Sequence, residues 1–177
     1  MNTENRQERI KLLRRQEDRN NRLPVLLTNL SEIAGRQVSE TEVLTIDQID
    51  KFQIELNGTD FDFNFLNLSF PKSKATELQN LLTTLTYELS QTNYLSLSHS
   101  SDIAVFKIKT DFVSRNLEEL ISLDNDTFSL HDQEFRNGLW VDLFHEYWYL
   151  EDKKQYIWIY ELRIFGKDWI KRINANL

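Results

Sequence analysis

The sequence predicts an α+β fold: a single domain with an antiparallel or mixed β-sheet built around a long C-terminal hairpin, helices on one face, and an N-terminal helical arm. Three observations carry that expectation. Residues 139–169 hold all four tryptophans together with Tyr147, Tyr149, Tyr156 and Tyr160, and aromatic and β-branched residues suit a pleated, half-buried surface. Leu78, Leu81, Leu82, Leu85 and Leu89 recur at spacings of three and four, the stripe of an amphipathic helix. No repeat, low-complexity tract or Pro/Ser-rich linker divides the succession of helical and strand-like segments, which favours one layered unit.

In chain order, residues 3–22 suit a solvated helix whose only apolar side chains are Ile10, Leu12 and Leu13. Glu4 and Glu8 precede the cluster Arg9 to Arg15, as the helix dipole prefers. With so little to bury, residues 1–22 are expected to form a polar arm and residues 23–177 the domain. Pro24 suits the first turn of a second helix, 24–34, with Leu26, Leu27, Leu30 and Ile33 inward and Gly35 as its stop. Ser39 followed by Glu42 fits a capping box, which predicts a helix over 40–50. Asn57-Gly58, flanked by 51–56 and 59–65, predicts a type I′ hairpin with Phe52 opposite Phe63 and Ile54 opposite Phe61. The apolar alternation then changes parity between Phe65 and Leu66, which calls for a bulge or a break.

Pro71 closes that strand, and the leucine stripe predicts a helix over 74–90. Strands at 94–98 and 103–109 flank a polar turn. A helix over 114–123 turns Leu117, Leu120 and Ile121 inward, and a short strand at 127–131 leads through Asn137-Gly138 into the central hairpin. Asp168 is placed to cap a terminal helix carrying Trp169, Ile170 and Ile173. In the hairpin, strands 139–150 and 155–165 with a turn at Asp152-Lys153 give paired residue numbers summing to 305. Tyr149, Tyr147, His145, Leu143 and Val141 then oppose Tyr156, Trp158, Tyr160, Leu162 and Ile164 on a face expected to pack against helices. The other face pairs Trp148 with Ile157, Phe144 with Glu161, and Asp142 with Arg163, a cross-strand ion pair supporting the register.

Composition bounds the function. The chain has 177 residues, no cysteine and a net charge of −7, so disulfides, zinc–thiolate sites and cysteine nucleophiles are excluded. The polar N-terminus carries no leader pattern and no apolar run approaches a membrane span, so a cytoplasmic protein is expected. Residues 1–36 carry a balance of +3 and the remainder −10. An acidic body argues against nucleic-acid binding except through the arm, because phosphate neutralisation supplies most of that affinity.

No motif makes a strong case for an enzyme. Asp142 with Glu161-Leu162-Arg163 has the outline of a metal-dependent nuclease hairpin, but arginine stands where a proton-yielding lysine is needed. His131-Asp132 and His145-Glu146 form a mixed nitrogen and oxygen ligand set only if their strands converge. Asp124-Asn125-Asp126 opens like a calcium loop and lacks its glycine. No cofactor or metal is expected. From Asp102 to Glu134 there are eight carboxylates against three bases. Ordinary solubility explains such a surface; so does an acidic face for a basic protein partner. On the second reading Glu118, Glu119, Asp124 and Asp126 form a rim around the anchors Phe144 and Trp148.

In being small, acidic, cysteine-free and without catalytic motifs, the chain resembles bacterial immunity proteins, which neutralise basic toxins. The resemblance is one of composition and transfers no residue roles. The function it implies is a non-catalytic, inhibitor-type interaction module binding a basic partner. The alternatives are a metal-dependent nuclease or hydrolase using the hairpin carboxylates, and a subunit docking on a larger complex through its N-terminal arm.

Overall fold

The computed structural model describes residues 3–58, 65–85, 91–150 and 153–177. Its centre is one six-stranded antiparallel sheet in the order β1-β6-β5-β4-β2-β3. The strands are β1 (Leu66–Pro71), β2 (Thr92–Leu97), β3 (Val105–Lys109), β4 (Thr127–His131), β5 (Gly138–Leu150) and β6 (Lys153–Phe165). The helices are α1 (Thr3–Ala34), α2 (Ile46–Gly58), α3 (Ala75–Thr83), α4 (Thr110–Arg115), α5 (Leu117–Leu123) and α6 (Lys167–Asn174). Among the described residues no helix is long and apolar enough to cross a membrane.

The α+β architecture around a long C-terminal hairpin is as the sequence predicts. Alternation along each strand sends one set of side chains to the main core, where Leu95, Phe106, Phe128, Leu139, Val141, Leu162 and Ile164 meet Leu30 of α1, Leu78 and Leu82 of α3, Leu117 and Ile121 of α5, and Ile173 of α6. The opposite set at the β2–β3 end, Tyr94 and Val105, packs with Ile49 and Phe52 of α2 and with Phe135. Phe52 sits edge-on to Tyr94 at 5.7 Å and to Phe135 at 5.2 Å.

The α2 helix overturns the expected Asn57-Gly58 hairpin. Residues 51–56 are helical and Ile54 is solvent-exposed, while residues 59–64, the expected partner strand, lie outside the described residues. The reason is a helical period that outweighs a two-residue turn signal: Ile46, Ile49 and Phe52 fall three apart and are all buried. Thr45 and Gln48 cap the helix reciprocally, at 2.9 Å and 3.3 Å. The capping box expected at Ser39 and Glu42 is formed, but it starts only a single 3-10 turn over Glu40–Glu42 and not a helix over 40–50.

Pro24 does not open a second helix, because α1 runs unbroken through it. Three arginines tie α1 to the segment between β2 and β3. Arg15 reaches the Asp102 carbonyl and Asp50, Arg19 reaches the Ile103 carbonyl, and Arg22 donates to the His99 carbonyl at 3.0 Å and Ser100 Oγ at 2.8 Å. Gly35, at φ 60°, ends the helix as expected. The predicted helix over 114–123 is instead two short helices broken at Asn116, whose side chain bonds the Phe112 carbonyl at 2.8 Å. The leucine-stripe helix is observed as α3, with residues 86–90 outside the described residues.

The hairpin register also differs. Asp142 pairs with Glu161 and Trp140 with Arg163, so paired numbers sum to 303. Leu150 pairs with Lys153, which puts the loop one residue earlier than Asp152-Lys153. A shift of two in the sum keeps every side chain on its predicted face and changes only its partner. The Asp142–Arg163 ion pair is therefore not made: Asp142 accepts from Thr127 Oγ1 at 2.7 Å.

Candidate interaction surface

The two strands of the hairpin, thirteen residues each, are longer than anything beside them. β4 pairs only with residues 138–142 of β5, and β1 only with residues 159–164 of β6. Among the described residues, 143–150 and 153–158 therefore continue as a two-stranded ribbon with no neighbouring strand. At roughly 3.4 Å per residue it extends about 24 Å.

One face of this ribbon is aromatic. His145 opposes Trp158, Tyr147 opposes Tyr156, and Tyr149 opposes Lys154. The rings interlock across the strands: His145 lies 3.5 Å from Trp158 and 5.1 Å from Tyr156, and Tyr147 lies 5.0 Å from Tyr156, centroid to centroid. The Lys154 ammonium stands 4.6 Å over the Tyr147 ring, and Lys72 stands 6.0 Å over Trp158. Such pairs are what hold a two-stranded ribbon together in water, each contributing about 0.2–1 kcal/mol. They leave much of the ring area open: Tyr149 is 70% exposed, Tyr147 and Tyr156 61%, and Trp158 37%. The expectation that this whole face packs on helices holds for Val141, Leu143, Tyr160, Leu162 and Ile164, which are buried, and fails beyond them. Among the described residues the helical layer ends at the ribbon's base.

At that base Tyr160 is fully buried, and its hydroxyl has no hydrogen-bond partner. Burial, and then the carboxylates of Glu118 and Glu119, push its pKa up to about 12. An unpaired buried hydroxyl is a cost. Tyr160→Phe should leave stability unchanged or raise it by about 1 kcal/mol, read as the urea midpoint; a lower midpoint would mean the hydroxyl has a partner.

The residues expected to bind a partner fall in three places. Phe144 and Trp148 lie on the opposite ribbon face, Phe144 across from Ile159 and Trp148 across from Gln155. Glu118 and Glu119 are exposed in the first turn of α5, whose buried side chains pack on the Tyr160 side. They flank the aromatic face, not Phe144 and Trp148. Asp124 is largely buried and lies 3.7 Å from Arg22. Asp126, at φ 56°, receives the Leu143 N–H on its carbonyl at 2.8 Å, which makes it part of the turn entering β4. Tyr147, Tyr149, Tyr156 and Trp158 are the surface residues that sequence reasoning assigned to the core. The signal that separates them is strand length, since strands of thirteen beside strands of five or six must outrun their neighbours.

His131 and His145 do not converge. His131 pairs with Gly138, seven residues along β5 from His145, roughly 23 Å of strand, and the two point to opposite faces. His131 is enclosed by Phe52, Trp140 and Phe165. Asp132 turns instead to its own loop and accepts from the N–H groups of Glu134, Arg136 and Asn137 at 3.0–3.1 Å. Asp142 and Glu161 do face each other across the ladder, but among the described residues no group of three or more metal-ligating side chains is assembled. No protein-family model matches this chain, and no curated protein and no solved structure matches it.

Proposed function

We propose that this chain is a non-catalytic protein-interaction module, inhibitor-like in its chemistry, that engages a basic partner through the projecting ribbon. The observation that carries this reading is the open aromatic face of Tyr147, Tyr149, Tyr156 and Trp158. Tyrosine and tryptophan offer large contact area at a low cost in side-chain freedom, and they dominate the energetics of protein interfaces. Glu118 and Glu119 on the flank, and a net charge of −7, supply the long-range attraction for a positively charged surface. Phe144 and Trp148 extend the anchor to the other ribbon face, so that a cleft closing over the ribbon would touch both.

Affinity capture from the native cell, followed by binding measurements with the purified partner, tests this. Tyr147→Thr with Tyr149→Thr keeps β-branched residues in the strand and should weaken binding about a hundredfold or more, since interface tyrosines of this kind are each worth about 2 kcal/mol. The unfolding midpoint should move by the equivalent of about 1 kcal/mol or less. Glu118→Lys with Glu119→Lys should slow association in a salt-dependent way and leave dissociation nearly unchanged. Full affinity in the tyrosine variant would refute the ribbon as the anchor.

The second reading, docking through the N-terminal arm, is favoured by one observation: Ile10, Leu12 and Leu13 are exposed on α1 among Arg6, Arg9, Lys11 and Arg14. Deleting residues 1–14, short of the arginines that tie α1 to the body, should leave the fold intact and abolish binding only if this reading is correct.

A further inference from the structure

The ribbon has two backbone edges, and they differ in what guards them. The Leu143 N–H points toward β4 and donates to the Asp126 carbonyl at 2.8 Å. The pairing of β5 with β6 runs on from there without a bulge. Alternation along the strand therefore turns the N–H and C=O of His145, Tyr147 and Tyr149 to that same outer side, while those of Glu146 and Trp148 face β6. Left-handed backbone at Asn125 and Asp126 takes the chain out of the line of β4 at this point. The strand position beside residues 145–149 is thus vacated. Among the described residues no backbone hydrogen bond reaches His145, Tyr147 or Tyr149 from that side, and all three residues are exposed.

The outer edge of β6 is guarded. Its neighbour β1 ends in Pro71, which has no N–H to continue a ladder, and Lys72 stands over Trp158. Lys153 and Lys154 lie on β6 itself. Proline and lysine at an edge keep a further strand from pairing there. Residues 143–149 of β5 contain neither. Their carboxylate is Glu146, exposed between Phe144 and Trp148 on one ribbon face and without an ion pair among the described residues. Asp142 lies on the same face, nearer the base. The open edge is the acidic one.

We propose that the outer edge of β5 takes up an extended segment of a basic partner as a further strand, in which cationic and apolar side chains alternate. Lysine or arginine then meets Glu146 between Phe144 and Trp148, and the apolar set joins Tyr147 and Tyr149 on the other face. This rests on the ribbon as the binding element and adds how it is engaged: main-chain bonds supply affinity, and alternate side chains supply specificity. A second copy of this ribbon is a poor occupant. Two β5 edges paired antiparallel would bring their Glu146 carboxylates into neighbouring positions, in chains of net charge −7.

The test is titration of the full chain with an end-blocked peptide of alternating lysine and valine, about eight residues long, read by amide exchange in NMR spectra. Binding should saturate. The amides of His145, Tyr147 and Tyr149 should slow, while those of Tyr156 and Trp158, on the guarded edge, exchange as before. The same peptide N-methylated throughout should not saturate, since each lost main-chain bond is worth roughly tenfold in affinity. Glu146→Lys should weaken the lysine–valine peptide about tenfold, and a glutamate–valine peptide should bind the unaltered chain more weakly by about the same factor. Failure of the lysine–valine peptide to saturate, equal binding of the methylated peptide, or saturation without slowing at His145, Tyr147 and Tyr149 would each overturn strand addition. The ribbon reading would survive all three, because its own test is the tyrosine pair with the captured partner. Amides of these three residues already protected in the free chain would mean that the edge is taken, and would overturn the proposal as well.

Discussion

Gly166→Ala should destabilise the protein by about 3 kcal/mol. Gly166 joins β6 to α6 at φ 93° and ψ 130°, a conformation that L side chains rarely adopt and that costs about 1–3 kcal/mol when forced. A Cβ there would also run into the Arg136 carbonyl and lie 2.7 Å from Asn137 Cα. These are backbone atoms, which a rotamer change cannot move aside, and overpacking of this kind costs a further 1–3 kcal/mol or so. The same loop is held by the Asp132 carboxylate, and Asn137 Oδ1 accepts from the Trp169 N–H at 3.3 Å. Strain at Gly166 therefore reaches both the entry to the hairpin and the docking of α6. Gly58→Ala is the control, because a Cβ there meets nothing within 4 Å. Equal urea midpoints for the two variants would contradict this account of the β6–α6 junction.

Acid should destabilise the fold through His131. The ring is fully buried and neither nitrogen has a hydrogen-bond partner, so burial lowers its pKa to about 4. The unfolded chain binds its proton near pH 6.5 and the folded protein only near pH 4. Between those values the unfolded state holds more protons, so stability is complete above about pH 6.5 and falls as pH drops toward 4. At about 1.4 kcal/mol per unit, the loss across the window is about 3 kcal/mol. His131→Leu should flatten the pH dependence of the urea midpoint between pH 6.5 and 4. An unchanged slope would mean that another group sets it.

What the sequence made legible was mostly local. The leucines of α3, the alternation of Leu66, Leu68 and Phe70, and the inward set of α5 follow from a period readable within ten residues. The hairpin was legible in its faces and not in its register, because a shift of two in the pairing sum exchanges partners without turning Tyr147 or Trp148 over. At Asn57-Gly58, two residues with turn chemistry competed with Ile46, Ile49 and Phe52, and burial of that face against Tyr94 and Phe135 prevailed. The ribbon was the least legible feature. Whether Tyr149 is core or surface depends on how far β1, β4 and the helices extend beside it, which no pattern within 139–165 records. The same applies to Asp124: its carboxylate is engaged by Arg22, a hundred residues earlier in the chain.

Hydrogen exchange, compared between the free protein and its complex with the captured partner, tests the central claim most directly. If the ribbon is the anchor, amides of residues 144–149 and 154–158 gain protection on binding, while those at the N-terminal end of α1 exchange as before. Protection confined to residues 3–14, with the ribbon unchanged, would contradict the claim and leave the arm as the docking element.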